Sequence, residues 1–374
     1  MLLCACGSAP PIKPSASVVK VVETPRCSIA SHLLSVPGHG GLRPNVAFGK
    51  EGFGVVWEEA TDSHRSIRFV AFDDKATPIS TSVEVADLPR GGSEPHVVVA
   101  PNGNGYAVIW STEDLNGEDV GAIIAFRRID VQGRPLGDVV RSIAAPSARA
   151  LAVLSIPKSG ESGYALGWWS WATTPRRQVV SYLDESGAAK GEPVELTHDP
   201  VIDPVMDFRL GPDGQVLGSW EERIAGDEHV MAGEISRAEV VRRLDVGRGS
   251  VPSLGGSRVY FTSLGSGQLW SSPIVEARPT QFGEGQFPDA SSRSAGGAVF
   301  CYVAESSAGD RTVDQLRCQG VSESGAPEAE TLIASSPGGV LSFEVIAAGA
   351  TYGVVYQLEE DAGSAVSFAA VHCS

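Results

Sequence analysis

The chain has 374 residues, 42% hydrophobic and 20% charged, with a formal net charge of −16. That apolar share excludes a disordered or collagen-like chain. No run of Lys and Arg exceeds two residues, as at Arg127-Arg128 and Arg176-Arg177, so no phosphate-reading surface for nucleic acid is expected, and no stretch of about 18 apolar residues offers a membrane helix.

The first segment, residues 1–6, ends in Leu3-Cys4-Ala5-Cys6. It resembles a bacterial lipobox remnant with Cys6 as the lipidation site, because the small Ala5 precedes it and Leu3 stands three before it. Cys4 fits less well, since the larger Leu3 precedes it. A signal peptide needs a basic region and about 7–15 apolar residues, so this reading requires a start assigned too late or a shortened leader. The alternative is a chance cysteine in a cytosolic N-terminus. Residues 7–26 are rich in Pro, Ser and Ala, a tether composition. Gly7, rather than Asp, follows Cys6, which favours the outer membrane as the place of attachment.

From residue 27 to 374 one frame repeats. A Pro opens an apolar strand, a Gly turn follows, then an apolar strand ending in an aromatic, a polar loop and an alternating strand. Segment one starts at Arg43 with Pro44 and reaches Trp57; segment two has Pro95 and Trp110. Segment three keeps GYALGWW with Trp168 and Trp169 but has lost its Pro. Segment four has Pro204 and Trp220, segment five Pro252 and Trp270, and segment six Pro288 and GGAVFCY. Segment seven carries Tyr356 where Trp stood. Starts near 44, 94, 149, 204, 252, 288 and 342 are spaced at roughly the length of a four-stranded propeller blade. In segment one the strands A to D are expected at about 44–48, 53–58, 66–73 and 80–86. Ile67, Phe69 and Ala71 alternate with Arg68, Val70 and Phe72, and both faces carry apolar residues, as a sheet packed between two others requires.

Segment seven ends at strand C, in AVSFAAVHCS, and lacks a D strand. The orphan piece SIASHLLSVPG from Ser28 resembles a D strand without A to C. Ser31 to Ser35 is therefore expected to complete blade seven and close the ring, removing its strand edges. Six blades would leave this strand without a partner. The same frame pairs four of the six cysteines. Cys27 precedes the closing strand and Cys373 ends the strand it joins, so a Cys27–Cys373 bridge is expected. Cys301 and Cys318 fall on strands B and C of blade six, so a Cys301–Cys318 bridge across that hairpin is expected. The alternative is four buried free thiols. No C-x-x-C occurs, so zinc and thioredoxin-like readings lack support.

GFGVVWEE, GYAVIWSTED and GSWEE, with the turns DVQGRP at Asp130 and DESGAA at Asp184, resemble the repeats of secreted bacterial propeller proteins. The resemblance covers residues 27–374 and implies a fold without an activity, since propellers host many functions. No S-x-D-x-G-x-T-W box and no Gly-His…Trp-Asp pair is present.

In such a ring the D–A and B–C loops share one end. Acids after strand B (Glu58, Glu59, Glu113, Asp114, Glu221, Glu222, Glu359, Glu360 and Asp361) are expected to cap hairpins at the solvent edge. The alternative is an acidic rim that binds a cation such as Ca2+ or a basic ligand; no other cofactor or metal is expected. Nearer the axis, residues flanking strand A are the candidate ligand-binding set: His39, Arg43, Asn45, Arg90, Glu94, His96, Asp199, Asp203, Asp207, Glu284 and Asp289. Trp168 and Trp169 are expected to pack between blades, leaving Trp171, in a loop, as the aromatic ligand candidate. His39 in GHGG and His198-Asp199 offer little as metal ligands. No G-x-S-x-G, H-E-x-x-H, Walker or dinucleotide motif occurs, so no catalytic residue is assigned.

The resulting expectation is an all-β, seven-bladed propeller of four-stranded blades, exported, monomeric, and attached to a membrane only through a lipid anchor. It would bind a protein, peptide or glycan at its axial face. The rival expectation is a polysaccharide hydrolase or lyase using axial carboxylates. The two differ in what the axis should hold: two or more carboxylates and a base in a deep pocket, or an open face with exposed aromatics.

Overall fold

A computed structural model describes residues 23–24 and 27–373, apart from 37–38, 62, 89–91, 114–121, 145–147, 158–161, 171–176, 198, 200, 202–203, 295, 309–310 and 361–362. Seven antiparallel sheets follow one another as the blades of a propeller, each with four strands in the order A-B-C-D, and the seventh carries a further two-residue strand at its outer edge. The innermost strands A are Gly40–Gly49, Gly92–Val99, Ala148–Ile156, Met206–Leu210, Ser250–Gly255, Gln286–Ser292 and Val340–Ala348. They begin within a few residues of the repeat starts. Among the described residues no helix is long and apolar enough to cross a membrane.

The blades hold together through seven apolar seams, one between each neighbouring pair. Both faces of each blade are covered, which is why strand B reads as a near-continuous apolar run. Trp57 and Trp220 are fully buried and Trp110 is nearly so. Trp169 is buried, and Trp168 is partly buried with Nε1 donating to Ser181 Oγ at 2.9 Å, so both pack as expected. The seam between blades seven and one contains Val355, Phe368, Phe53 and Trp57, and it completes the circle.

Closure differs from the expectation in the bounds of the closing strand. The closing D strand is Cys27–Leu33, four residues earlier than Ser31 to Ser35, and it pairs antiparallel with Gly363–Cys373. Ile29 is buried against blade six and Ala30 packs against the seam with blade one. Period-two alternation therefore sets the register, since a slip of one would move Ile29 to the opposite face, where the small Ala30 packs. Cys27 lies opposite Cys373 and the two form a disulfide; Cys301 lies opposite Cys318 and forms the second. Disulfides persist in oxidising compartments, which marks the folded domain as extracellular or periplasmic. A two-residue strand, Glu23–Thr24, pairs outside the closing strand, within the stretch read as tether. Cys6 lies outside the described residues.

Candidate functional site

The axis is a channel of about 620 Å³, lined by strand-A residues from all seven blades. The inner edge of each strand A has no neighbouring strand, so its backbone N–H groups need other acceptors. The repeat supplies them. The residue after the opening Pro, or its counterpart, is Asn45, His96, Ala152, Asp207, Ser253, Asp289 and Glu344 in blades one to seven. Four of these reach sideways to a backbone N–H of the next blade. Asn45 Oδ1 accepts from Val97 at 2.9 Å, Asp207 Oδ2 from Leu254 at 2.6 Å, Ser253 Oγ from Ala290 at 2.9 Å and Asp289 Oδ2 from Val345 at 2.6 Å.

A second tier lies nearer the loops. Gln357 Oε1 accepts from Arg43 N at 3.0 Å, Ser111 Oγ from Ala150 N at 2.8 Å and Glu221 Oε1 from Val251 N at 2.5 Å. Glu221 also accepts from Val205 N. Glu58 and Glu221 are therefore not hairpin caps at the solvent edge: both are buried. Burial pushes the Glu221 carboxyl up to about 7, against the pull of its two backbone donors.

The chain must bend to present these groups. Arg43, Val251 and Phe287 each precede a Pro and have φ of 49°, 54° and 52°. Each sits in a β-bulge, at the register shifts Leu42/Asn45, Ser250/Ser253 and Gln286/Asp289. A left-handed residue with a side chain costs about 1–2 kcal/mol. Here the bulge turns the following ring residue towards the next blade.

Asp207 and Asp289 share one hydroxyl. Ser253 Oγ lies 3.1 Å from Asp207 Oδ2 and 3.0 Å from Asp289 Oδ1. Asp207 Oδ1 and Asp289 Oδ1 further accept from Phe208 N and Ala290 N. Burial pushes Asp207 up to about 6. Asp289 is raised too, first by burial and then by the charge of Asp207. Glu344 is raised well above the carboxylate range by burial, by Asp289 and by Asp207, with the Asn45 amide pulling the other way. Across the channel, burial holds His96 below the ordinary imidazole range, and its Nε2 is buried without a hydrogen-bond partner.

At the mouth, charges alternate over three blades. Arg65 meets Glu58 at 2.7 Å, Glu58 meets Arg43 at 3.9 Å, and Arg43 meets Glu94 at 4.0 Å. Arg149 closes the chain, donating through Nε to Glu94 Oε2 at 3.0 Å and through Nη2 to Oε1. On the side of blades six and seven the mouth is apolar: Phe287 and Leu341 line the channel and are 52% and 50% exposed.

Of the sequence-derived residues, His96 and Asp289 line the channel, as do Asn45 and Asp207. Arg43 and Glu94 pair beside its mouth. Three lie elsewhere. His39 is bonded to Glu59 at 3.4 Å, Asp199 is exposed near Arg223, and Glu284 is exposed at the end of an outer strand. Arg90, Trp171 and Asp203 lie outside the described residues. Glu344 and Ser253 were missed. Their signal was alignment with the residue after Pro, which blade seven has replaced by Phe343-Glu344. Among the described residues no group of three His, Cys, Asp or Glu side chains is arranged to hold a metal ion.

No protein-family profile and no curated protein sequence matches the chain. Solved structures do resemble it. A neuraminidase-like protein of A/little yellow-shouldered bat/Guatemala is 13% identical, with 91% of this chain and 97% of that chain covered and a TM-score of 0.46. The PQQ-bound aldose sugar dehydrogenase of Streptomyces coelicolor is 11% identical, covering 92% and 98%, with a TM-score of 0.46. Trypanosoma rangeli sialidase is 9% identical, covering 89% of this chain and 55% of that chain, with a TM-score of 0.46. Likenesses this distant carry nothing about activity.

Proposed function

We propose that this is an exported, non-enzymatic propeller that binds a protein, peptide or glycan ligand through the mouth of its axial channel. The observation that supports this reading is the occupation of the ring carboxylates. Asp207 and Asp289 each hold backbone N–H groups of the adjoining blade, so moving a proton or a substrate through them would disturb the blade contact. The channel and its half-charged, half-apolar mouth supply shape and polarity for recognition. An anchor at Cys6 with a tether over 7–26 would enter the domain at Cys27, at the start of the closing strand. That strand runs toward the mouth end, so the mouth would face away from the membrane.

The test is binding to glycan and peptide arrays, followed by variants. Arg43→Glu breaks the alternation at the mouth and is expected to change the affinity of any captured ligand at least tenfold, about 1.4 kcal/mol, with the ligand's mass unchanged after prolonged incubation. Binding indifferent to Arg43→Glu and to Glu344→Gln, but lost on changing the exposed outer residues Val241 and Val275, would overturn the axial reading in favour of an assembly surface.

One observation favours the second reading. Carboxyls raised towards neutrality beside a neutral histidine in a cavity are the usual setting for general acid catalysis. A hydrolase or lyase would show turnover of a captured polysaccharide that Asp289→Asn abolishes while the fold survives.

A further inference from the structure

The wall of the channel has more hydrogen-bond acceptors than donors at the level of the ring. Among the described residues the donor that meets Glu344, from blade seven, is the Asn45 amide. His96, from blade two, keeps Nε2 buried and without a partner. The single Ser253 proton faces two carboxylates, Asp207 and Asp289. Each carboxylate has about four acceptor sites, and the backbone donors named above fill only part of them. The charge is as one-sided as the hydrogen bonding. Among the described residues lining this channel the cation is Arg209, two residues further along its strand and about 7 Å away; its Nη1 donates to Ser292 Oγ at 3.4 Å, its Nε is buried without a partner, and it acts on Asp207 less than the hydrogen bonds named above. Glu94, the other acid acting on Glu344 and His96, is already engaged by Arg43 and Arg149.

We propose that the axial channel receives a primary ammonium group of its ligand at Glu344, with the Asp207–Ser253–Asp289 triplet and, across the channel, His96 facing it. This rests on the axial-binding reading above and narrows it. An ammonium carries three donors and no acceptor, which suits a wall short of donors; a sugar hydroxyl brings acceptors the wall does not need. Phe287 and Leu341 at the mouth offer an apolar seat for whatever group adjoins the ammonium, so a lysine next to an apolar residue, or an apolar residue at a free peptide N-terminus, has the required shape. Entry of the cation draws protons off the crowded carboxyls. Binding therefore releases protons and strengthens with rising pH, while Arg209 opposes the cation at every pH.

The experiment is titration calorimetry on the full chain at pH 7.5 with four probes: Nα-acetyl-leucyl-lysine amide, its norleucine analogue, its Nε-acetyl-lysine analogue, and a neutral disaccharide. The lysine probe is expected to bind at least tenfold tighter than the other three. Its affinity should fall several-fold on acidification to pH 5.5, and its heat should differ between phosphate and Tris buffers by the amount one released proton requires. Glu344→Gln, which keeps the Asn45 contact, should cost at least tenfold. The buffer comparison needs no variant, so it decides the matter even if Glu344→Gln fails to fold. Equal or tighter binding of the norleucine, acetyl-lysine or disaccharide probe would overturn the ammonium claim and leave axial binding standing. Absence of binding by all four would count against both. Lysine binding without proton release would overturn the assignment to these carboxyls.

Discussion

Asp207 and Asp289 hold two blades each, at the cost of two carboxyls crowded beside one hydroxyl. Their effect on stability has a definite sign. Both groups, with Glu221 and Glu344, have folded-state pKa values raised above those of the unfolded chain. The native state therefore binds more protons near neutrality, and stability falls as pH rises through the folded pKa values. For Asp207, Asp289 and Glu221 the penalty grows as pH rises from about 4 through about 6 to 7 and is complete only above that range; Glu344 acts in the same direction. Half-buried Asp130 and Asp184 have the opposite sign: hydrogen bonds within their own turns, from Arg134 and Gln132 to Asp130 and from Ser186 and Ala188 to Asp184, hold the carboxyls low against burial, and that contribution is lost only below about pH 4. The expected outcome is a Tm several degrees higher at pH 5 than at pH 8, followed by a drop below pH 4, measured by calorimetry. A Tm that climbs steadily from pH 5 to pH 8 would contradict the burial of these carboxyls. Part of this was legible. Asn45, His96, Asp207 and Asp289 stood out because each follows or flanks the opening of strand A. Glu344 and Ser253 did not, because Phe343 hides the blade-seven landmark and a serine announces nothing by itself. The burial of Glu58 was hidden for another reason: its partners Arg43 and Arg65 arrive from two other strands, and no local pattern records that.

At the scale of strands and turns the repeat was readable because its punctuation is physical. The C–D hairpins show this. Asp73, Asp130 and Asp184 each accept two backbone N–H groups of their own turn through Oδ1, which is what the D-x-x-G-x-P pattern encodes. Where the punctuation is imperfect, stability is available. The blade-four B–C hairpin has a two-residue loop, Ala225-Gly226, with φ of 52° and 94°. That conformation favours Asn-Gly, and Ala225 is exposed. Ala225→Asn is expected to stabilise the protein by about 0.5–1 kcal/mol, read as a higher urea midpoint with an unchanged m-value. A lower midpoint would mean that this turn is not held left-handed. Strand ends were less legible. The closing strand was expected at Ser31 to Ser35, whereas its pairing begins at Cys27 and its buried residue is Ile29.

For the whole molecule, everything turns on how the circle closes. The seam between blades seven and one joins residues more than 300 positions apart, as in Gln357 bonding Arg43 and Ser364 bonding Gly41. Contacts that distant cost loop-closure entropy before they return energy. A disulfide at Cys27–Cys373, with a sequence separation of 346, removes much of that cost from the unfolded chain. The channel, its two tiers of inter-blade hydrogen bonds and its charged mouth exist only in the closed ring. The most direct test is non-reducing peptide mapping by mass spectrometry of protein folded under oxidising conditions. Two linked pairs are expected, Cys27 with Cys373 and Cys301 with Cys318. Free thiols at Cys27 and Cys373, or a link from either of them to Cys301 or Cys318, would contradict it.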